Sequence, residues 1–296
     1  MTQSATSLPA NATLCFYGAG SMAEAILRGL VEKNVSSPRQ IRVMNRSNAD
    51  RLRELERTYG VVPAIDPADR ERALSEADVI VLGMKPKDAA AALVSLKPKL
   101  RGEQILVSVI AGLSIGTIEA LLGRPHPIVR TMPNTSSTIG LGAAGISFSE
   151  SLSPEGRSLG VALFDAIGMT TVVEERLLDT VTAVSGSGPA YIYYMMEAMI
   201  DAGAAQGLTP EAARDLAVQT VLGAAEMVRR TGEAPAELRR KVTSPNGTTQ
   251  AAIETLERLG FASAVRQAMD RCAKRAGEIG RAIADEALSQ DGLPQK

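Results

Sequence analysis

The chain has 296 residues, and its 32 Lys and Arg nearly cancel its 33 Asp and Glu, leaving a formal net charge of -1. That balance selects neither nucleic acid nor an anionic membrane as a partner, and aromatics at 3% with no Trp leave no stacking platform for bases. The length suits two domains, and Cys15 and Cys272 are expected as reduced, buried thiols, since their spacing fits neither a disulfide framework nor a metal site.

Residues 1–12 are polar, with neither a basic start nor an apolar block, and are expected to form a flexible tail rather than a signal peptide. No apolar run approaches the ~20 residues that cross a bilayer, so a soluble, cytoplasmic protein is expected. The first patterned stretch is Leu14-Cys15-Phe16-Tyr17, which meets Gly18-Ala19-Gly20-Ser21-Met22 and then a helical run with Ala23, Ile26, Leu27 and Leu30 on one face. This is a dinucleotide fingerprint in its strand–turn–helix setting. Gly18 makes the tight turn, Gly20 lets a pyrophosphate approach the backbone, and Ala23 takes the third small position. Open N–H groups at the helix start and the macrodipole then favour an anion.

Ile41 to Asn45 reads as the second strand, with a helix from about Asn48 to Tyr59 behind it. An acidic residue at this strand end would hold a ribose 2′-hydroxyl; Asn45, Arg46 and Ser47 suit a 2′-phosphate instead, which favours NADPH while leaving NADH usable. A charged helix over Pro67 to Ala77 leads to Val79-Ile80-Val81-Leu82, an apolar run that suits a central parallel strand. Further strands are expected at 104–109, 127–134, 142–148 and 168–173. The alternation with helices argues for a doubly wound α/β sheet. Gly83, Met84, Lys85 and Pro86, then Ala111 and Gly112, then Asn134, fall at strand ends and complete the candidate cofactor contacts. His126, between Pro125 and Pro127, is expected as an exposed loop histidine.

Past Val173 the pattern is helical to the end. The expected division is therefore a dinucleotide-binding Rossmann domain over 13–173 and an all-α dimerisation and substrate domain over 174–296. The run Pro189 to Ile200 is apolar nearly all round, so its cover is expected from a second subunit in an intertwined homodimer or a higher homo-oligomer. Two loops, 185–190 and 242–250, combine glycine, hydroxyls and a helix start, which suits a small anion. Neither loop contains His, Asp, Glu, Lys or Cys, so no dedicated general base is expected.

Gly18 to Ala23, Val81 to Pro86, Arg130 to Asn134, Ser185 to Tyr191 and Leu238 to Glu257 together resemble the pyrroline-5-carboxylate reductase family, over nearly the whole chain beyond the tail. The resemblance implies NADPH-dependent reduction of a five-membered cyclic imine bearing one carboxylate, 1-pyrroline-5-carboxylate, to L-proline, the last step of proline synthesis. It places Thr249 at the threonine that hydrogen-bonds the ring nitrogen, the catalytic position. The substrate's carboxylate is assigned to the N–H groups around Asn246, Gly247 and Thr248 with the Ser244 hydroxyl, and Ser187 joins the substrate contacts. Ser21 stands where the family often has Asn, and Asn246 where it often has Gly. Two other readings stay open: a β-hydroxyacid dehydrogenase-like reductase, which would need a lysine where Arg239, Arg240 and Lys241 read as a solvated face, and a non-catalytic NADPH-binding regulator.

Overall fold

The structure, a computed structural model, describes residue 8 and residues 12–290. The expected tail lies outside the described residues apart from Leu8 and Ala12, which are both buried against the core.

Eight strands make one sheet: β1 (Leu14–Tyr17), β2 (Ile41–Met44), β3 (Val62–Ala64), β4 (Val79–Leu82), β5 (Ile105–Ser108), β6 (Ile128–Met132), β7 (Gly142–Phe148) and β8 (Gly168–Val172). Their spatial order is β3-β2-β1-β4-β5-β6-β7-β8, parallel from β3 to β6, with β7 antiparallel to β6 and β8 parallel to β7. The helices α1 (Ser21–Glu32), α2 (Ala49–Tyr59), α3 (Pro67–Glu76), α4 (Ala89–Leu96), α5 (Ile115–Leu122) and α6 (Pro154–Asp165) connect them. The order reverses between β1 and β4, the switch point at which open α/β sheets bind ligands. β3 is absent from the sequence reading. It has only three residues with Pro63 at its centre, a composition tolerated there because β3 is an edge strand.

Alternation along the strands builds two cores. Leu14, Phe16, Val79 and Val81 face α1, α2 and α6 through Ile26, Leu27, Leu52, Leu55, Leu163 and Phe164. Cys15, Ile80 and Leu82 face the other way, towards Leu93, Leu96, Ile118 and Leu121. Burying each such side chain stabilises by about 1.5–3 kcal/mol, which is why β4, buried along its whole length, reads as a continuous apolar run. Burial pushes the Cys15 thiol up to about 12, leaving it neutral and inert.

The helical half comprises α7 (Leu178–Val181), α8 (Gly188–Ala205), α9 (Pro210–Thr231), α10 (Pro235–Lys241), α11 (Thr248–Arg258) and α12 (Phe261–Gln290). The described residues form two compact units, one that runs up to Ser187 and resumes at Cys272, and the other of residues 188–271. The division thus falls beyond the boundary expected at 173/174. The segment after β8 stays with the sheet, where Leu178 is buried and Val181 packs beside Gly145, and residues from Cys272 onward return to it, burying Ala276 and Ile283. In the second unit α8 packs on α9, with Gly203 against Ala213, and α9 is capped by Thr209 with Pro210 in its first turn. No residue of α8 is buried within the chain, and Tyr194 is 76% exposed. Among the described residues no helix is long and apolar enough to cross a membrane.

Candidate active site

The turn after β1 is built by contacts that exclude side chains. Gly18 has φ +121°, and a Cβ there would lie 2.6 Å from the backbone of Gly83, at the carboxyl end of β4. A Cβ on Gly83 would in turn meet the Ala23 methyl at 3.3 Å. Gly18, Gly83 and Ala23 thus form one close-packed set in which only small residues fit. Gly18 N–H donates to Met44 O at 3.0 Å, and the first bond of α1 runs from Glu24 N to Gly20 O at 2.9 Å. The N–H groups of Ser21, Met22 and Ala23, the first turn of α1, have no acceptor among the described residues. A backbone cradle that no Cβ could enter, facing an open helix start, fits the diphosphate of a dinucleotide.

Behind this turn lie residues that the sequence reading missed. Arg51 donates to the Ala19 carbonyl at 3.4 Å and pairs with Glu24 and Glu54, while the Tyr59 hydroxyl donates to Glu24 at 3.0 Å. Burial, reinforced by Glu24, raises the pKa of Tyr59. The group ties α1 to α2 and braces the glycine turn; its only trace in the sequence is a charged residue on each helix. At the end of β2, Asn45 accepts from the N–H groups of Ser47 and Asn48 at 3.2 and 3.3 Å, shaping the turn. Arg46 extends into solvent with its side chain 85% exposed and meets Asp88 at 3.3 Å. An exposed pair of this kind is weak and leaves the guanidinium available to a phosphate.

Next along the carboxyl edge lie Gly83 to Pro86, after β4, and Ala111 with Gly112, after β5. Asn134 is committed to the protein: its side chain donates to Ser185 O at 3.0 Å and accepts from Ala143 N at 3.2 Å. It therefore clamps the end of β6 to the segment after α7. That segment is not the open loop expected over 185–190. Thr182 to Gly186 forms a π-helical turn continuous with α7, and α8 starts at Gly188. Ser187 N–H donates to Thr182 O at 2.8 Å, and its hydroxyl accepts from the Cys272 thiol at 3.2 Å. Cys272 is thus only part-buried, not the buried thiol expected.

His126 also departs from expectation. It is fully buried, and its ring nitrogens have no partner among the described residues. Desolvation, with a smaller push from Arg124, holds its pKa down at about 4. The flanking prolines place it ahead of β6, where Ser149 Oγ donates to its carbonyl at 2.8 Å and fixes the backbone. Neutral and enclosed, it packs rather than transfers protons.

In the second unit, residues 242–247 form a turn that opens α11. Asn246 takes φ +59°, its N–H donates to the Gln250 side chain at 2.8 Å, and Gly247 N–H donates to Ser244 O at 3.0 Å. Two of the three amides expected to hold a carboxylate are therefore already engaged. The open ones are Thr248 N–H, Thr249 N–H and Gln250 N–H, which have no acceptor among the described residues. Ser244, Asn246 and Thr248 are exposed and Thr249 is half-buried. Lys241 pairs with Glu233 and Arg240 with Glu237 on the exposed face of α10, as a solvated face should.

A parallel sheet ordered β3-β2-β1-β4-β5-β6, with a side-chain-free turn and an open helix start at its switch point, defines a dinucleotide-binding protein of the Rossmann class. The comparisons with known proteins narrow that class. Residues 13–112 match the family described as NADP oxidoreductase, coenzyme F420-dependent, and residues 175–279 match pyrroline-5-carboxylate reductase dimerisation. The chain is 42% identical over 275 residues to pyrroline-5-carboxylate reductase 2 of Bacillus subtilis, covering 93% of this chain and 98% of that one. It superposes on a pyrroline-5-carboxylate reductase of Coxiella burnetii with a TM-score of 0.85 at 36% identity, covering 91% and 98% of the two chains. The Plasmodium falciparum pyrroline carboxylate reductase, solved with NADP bound, gives 0.81 at 28% identity over 92% and 99%. The chain belongs to the pyrroline-5-carboxylate reductase family.

Proposed function

We propose that this chain reduces 1-pyrroline-5-carboxylate to L-proline in the cytoplasm, as a homodimer, with NADPH preferred over NADH. The observation that carries the reading is the opening of α11. Hydroxyls and unbonded amides converge there, with no acid or base among residues 244–250. The Thr248, Thr249 and Gln250 amides, with the Ser244 hydroxyl, bind the substrate carboxylate at the positive end of the helix. Thr249 Oγ1 accepts from the iminium N–H and fixes the ring plane. A protonated imine is already an electrophile, so orientation rather than proton abstraction is the enzyme's main contribution, and orientation can supply roughly 7–11 kcal/mol. In the first unit, Gly18 to Ala23 would hold the diphosphate of NADPH, Asn45, Arg46 and Ser47 its 2′-phosphate, and Gly83 to Pro86 with Ala111 and Gly112 its nicotinamide end. When bound, NADPH supplies the hydride. A hydroxyacid dehydrogenase reading is not favoured by Lys241, which is paired with Glu233 on a solvated face.

The test is the loss of reduced-nicotinamide absorbance with pyrroline-5-carboxylate, run with NADPH and NADH on the wild type and on Arg46→Ala. Faster oxidation of NADPH, and an NADPH-selective loss in the variant, support the reading. Binding of NADPH without turnover would remove the substrate assignment, and equal losses with both cofactors would remove the 2′-phosphate assignment.

A further inference from the structure

The loop after β5 is gripped from two sides by residues outside the glycine turn. On one side it meets α12 backbone to backbone. Gly112 has φ +81°, a Cβ on it would lie 2.9 Å from Gly280 N, and a Cβ on Gly280 would lie 2.6 Å from Gly112 O. Gly280 is interior to α12, where alanine is the better helix former, so its own helix gives no reason for a glycine. Ile279 and Ile283 on the same turns pack into the core below the sheet, which fixes the height of α12 over the loop. On the other side, Glu175 Oε1 accepts from Ile115 N–H, the first amide of α5, at 2.7 Å. The same oxygen accepts from the buried Arg130 guanidinium at 2.8 Å. The anion-binding end of α5 is thus filled by the protein's own carboxylate, whereas that of α1 is open.

The loop's place in the sheet says what the grip serves. β2 lies on one side of β1, and β4 followed by β5 lies on the other. With the 2′-phosphate end of a dinucleotide at β2 and its diphosphate at β1, the nicotinamide end extends towards β4 and β5. Val109 N–H reaches Leu82 O at 3.5 Å, which sets the loop beside the Gly83 turn.

We infer that Gly280 and Glu175 are positioning residues that fix the Ala111–Gly112 loop against the nicotinamide half of the cofactor. The inference rests on the proposed reading of that loop as a cofactor contact. The experiment compares fluorescence titrations of NADPH with those of adenosine 2′,5′-bisphosphate, which carries only the adenine half, for Gly280→Ala, Glu175→Ala and Glu175→Gln. Gly280→Ala should weaken NADPH about tenfold and lower kcat by up to about a hundredfold, with the bisphosphate affinity unchanged. Glu175→Ala should show the same split, and Glu175→Gln, which keeps an oxygen for Ile115 N–H, should recover most of it. If both probes weaken together, or neither does, the inference is wrong. The Glu175 pair decides the matter even if Gly280→Ala does not fold. Because the split is read without turnover, a wild type inactive on the imine would overturn the substrate reading alone.

Discussion

At the scale of single residues, neighbours of like chemistry have different work. Thr248 and Thr249 adjoin on the first turn of α11, yet Thr248 is exposed and Thr249 half-buried. Thr249→Ala should lower kcat roughly ten- to a hundredfold, the worth of one hydrogen bond to a charged group, and leave NADPH affinity unchanged in a fluorescence titration. Equal loss of cofactor affinity would contradict the role. His126 supports a prediction of another kind. Its folded pKa, about 4, lies below the ordinary 6.5, so on acidification the unfolded chain takes up the proton first. The stability it contributes is present above pH 6.5 and is lost as pH falls towards 4. The urea midpoint of the wild type should therefore drop more steeply between about pH 7 and about pH 5 than that of His126→Leu. Parallel slopes would show that the imidazole is not the group responsible.

Among the elements, the turn before α11 depends on one backbone conformation. Asn246 sits at φ +59°, a region open to glycine and asparagine and costly for β-branched residues. Asn246→Gly should leave the imine KM near wild type. Asn246→Val should raise it about tenfold through strain of about 1–3 kcal/mol, with NADPH KM unmoved. Steady-state kinetics against each substrate separate these outcomes. Elements of this kind were legible to very different degrees. β1, α1 and β4 follow directly from unbroken apolar runs, helical periodicity and glycine spacing, because a buried parallel strand and a dinucleotide turn each demand a narrow set of residues. β3 escaped because tertiary pairing, not local pattern, makes a strand of Val62-Pro63-Ala64. The π turn at Thr182–Gly186 escaped because Ser185 and Gly186 read locally as a loop, whereas Asn134 and Met132 hold them from β6. His126 was misplaced since prolines usually mark surface turns. The Glu24–Arg51–Tyr59 brace was invisible because it joins residues far apart in the chain. Of the candidate site, the types of residue were readable, but which amides of the α11 turn were open was not. That depends on the Gln250 side chain folding back onto Asn246.

The whole molecule leaves apolar surface uncovered in the single chain. Tyr193, Tyr194, Leu216, Leu222 and Met227 are exposed on α8 and α9, in the segment that matches the dimerisation family. A helix that is apolar nearly all round and has no buried residue is marginal in water and gains its stability from another surface. Tyr194→Glu should shift the particle to a lower mass in sedimentation while NADPH binding by the first unit persists. An unchanged mass would place the subunit contact elsewhere.

The passage of the chain between its two units bears on how the protein is made. The chain leaves the sheet unit at Ser187 and re-enters it at Cys272, and these two residues are hydrogen-bonded to each other. An insertion whose ends meet adds little closure entropy to the unit that hosts it. Yet the host's core includes Ile283, so on the ribosome the inserted helices emerge before the first-made domain has its last core residue. Synthesis therefore begins the sheet domain first and completes it last.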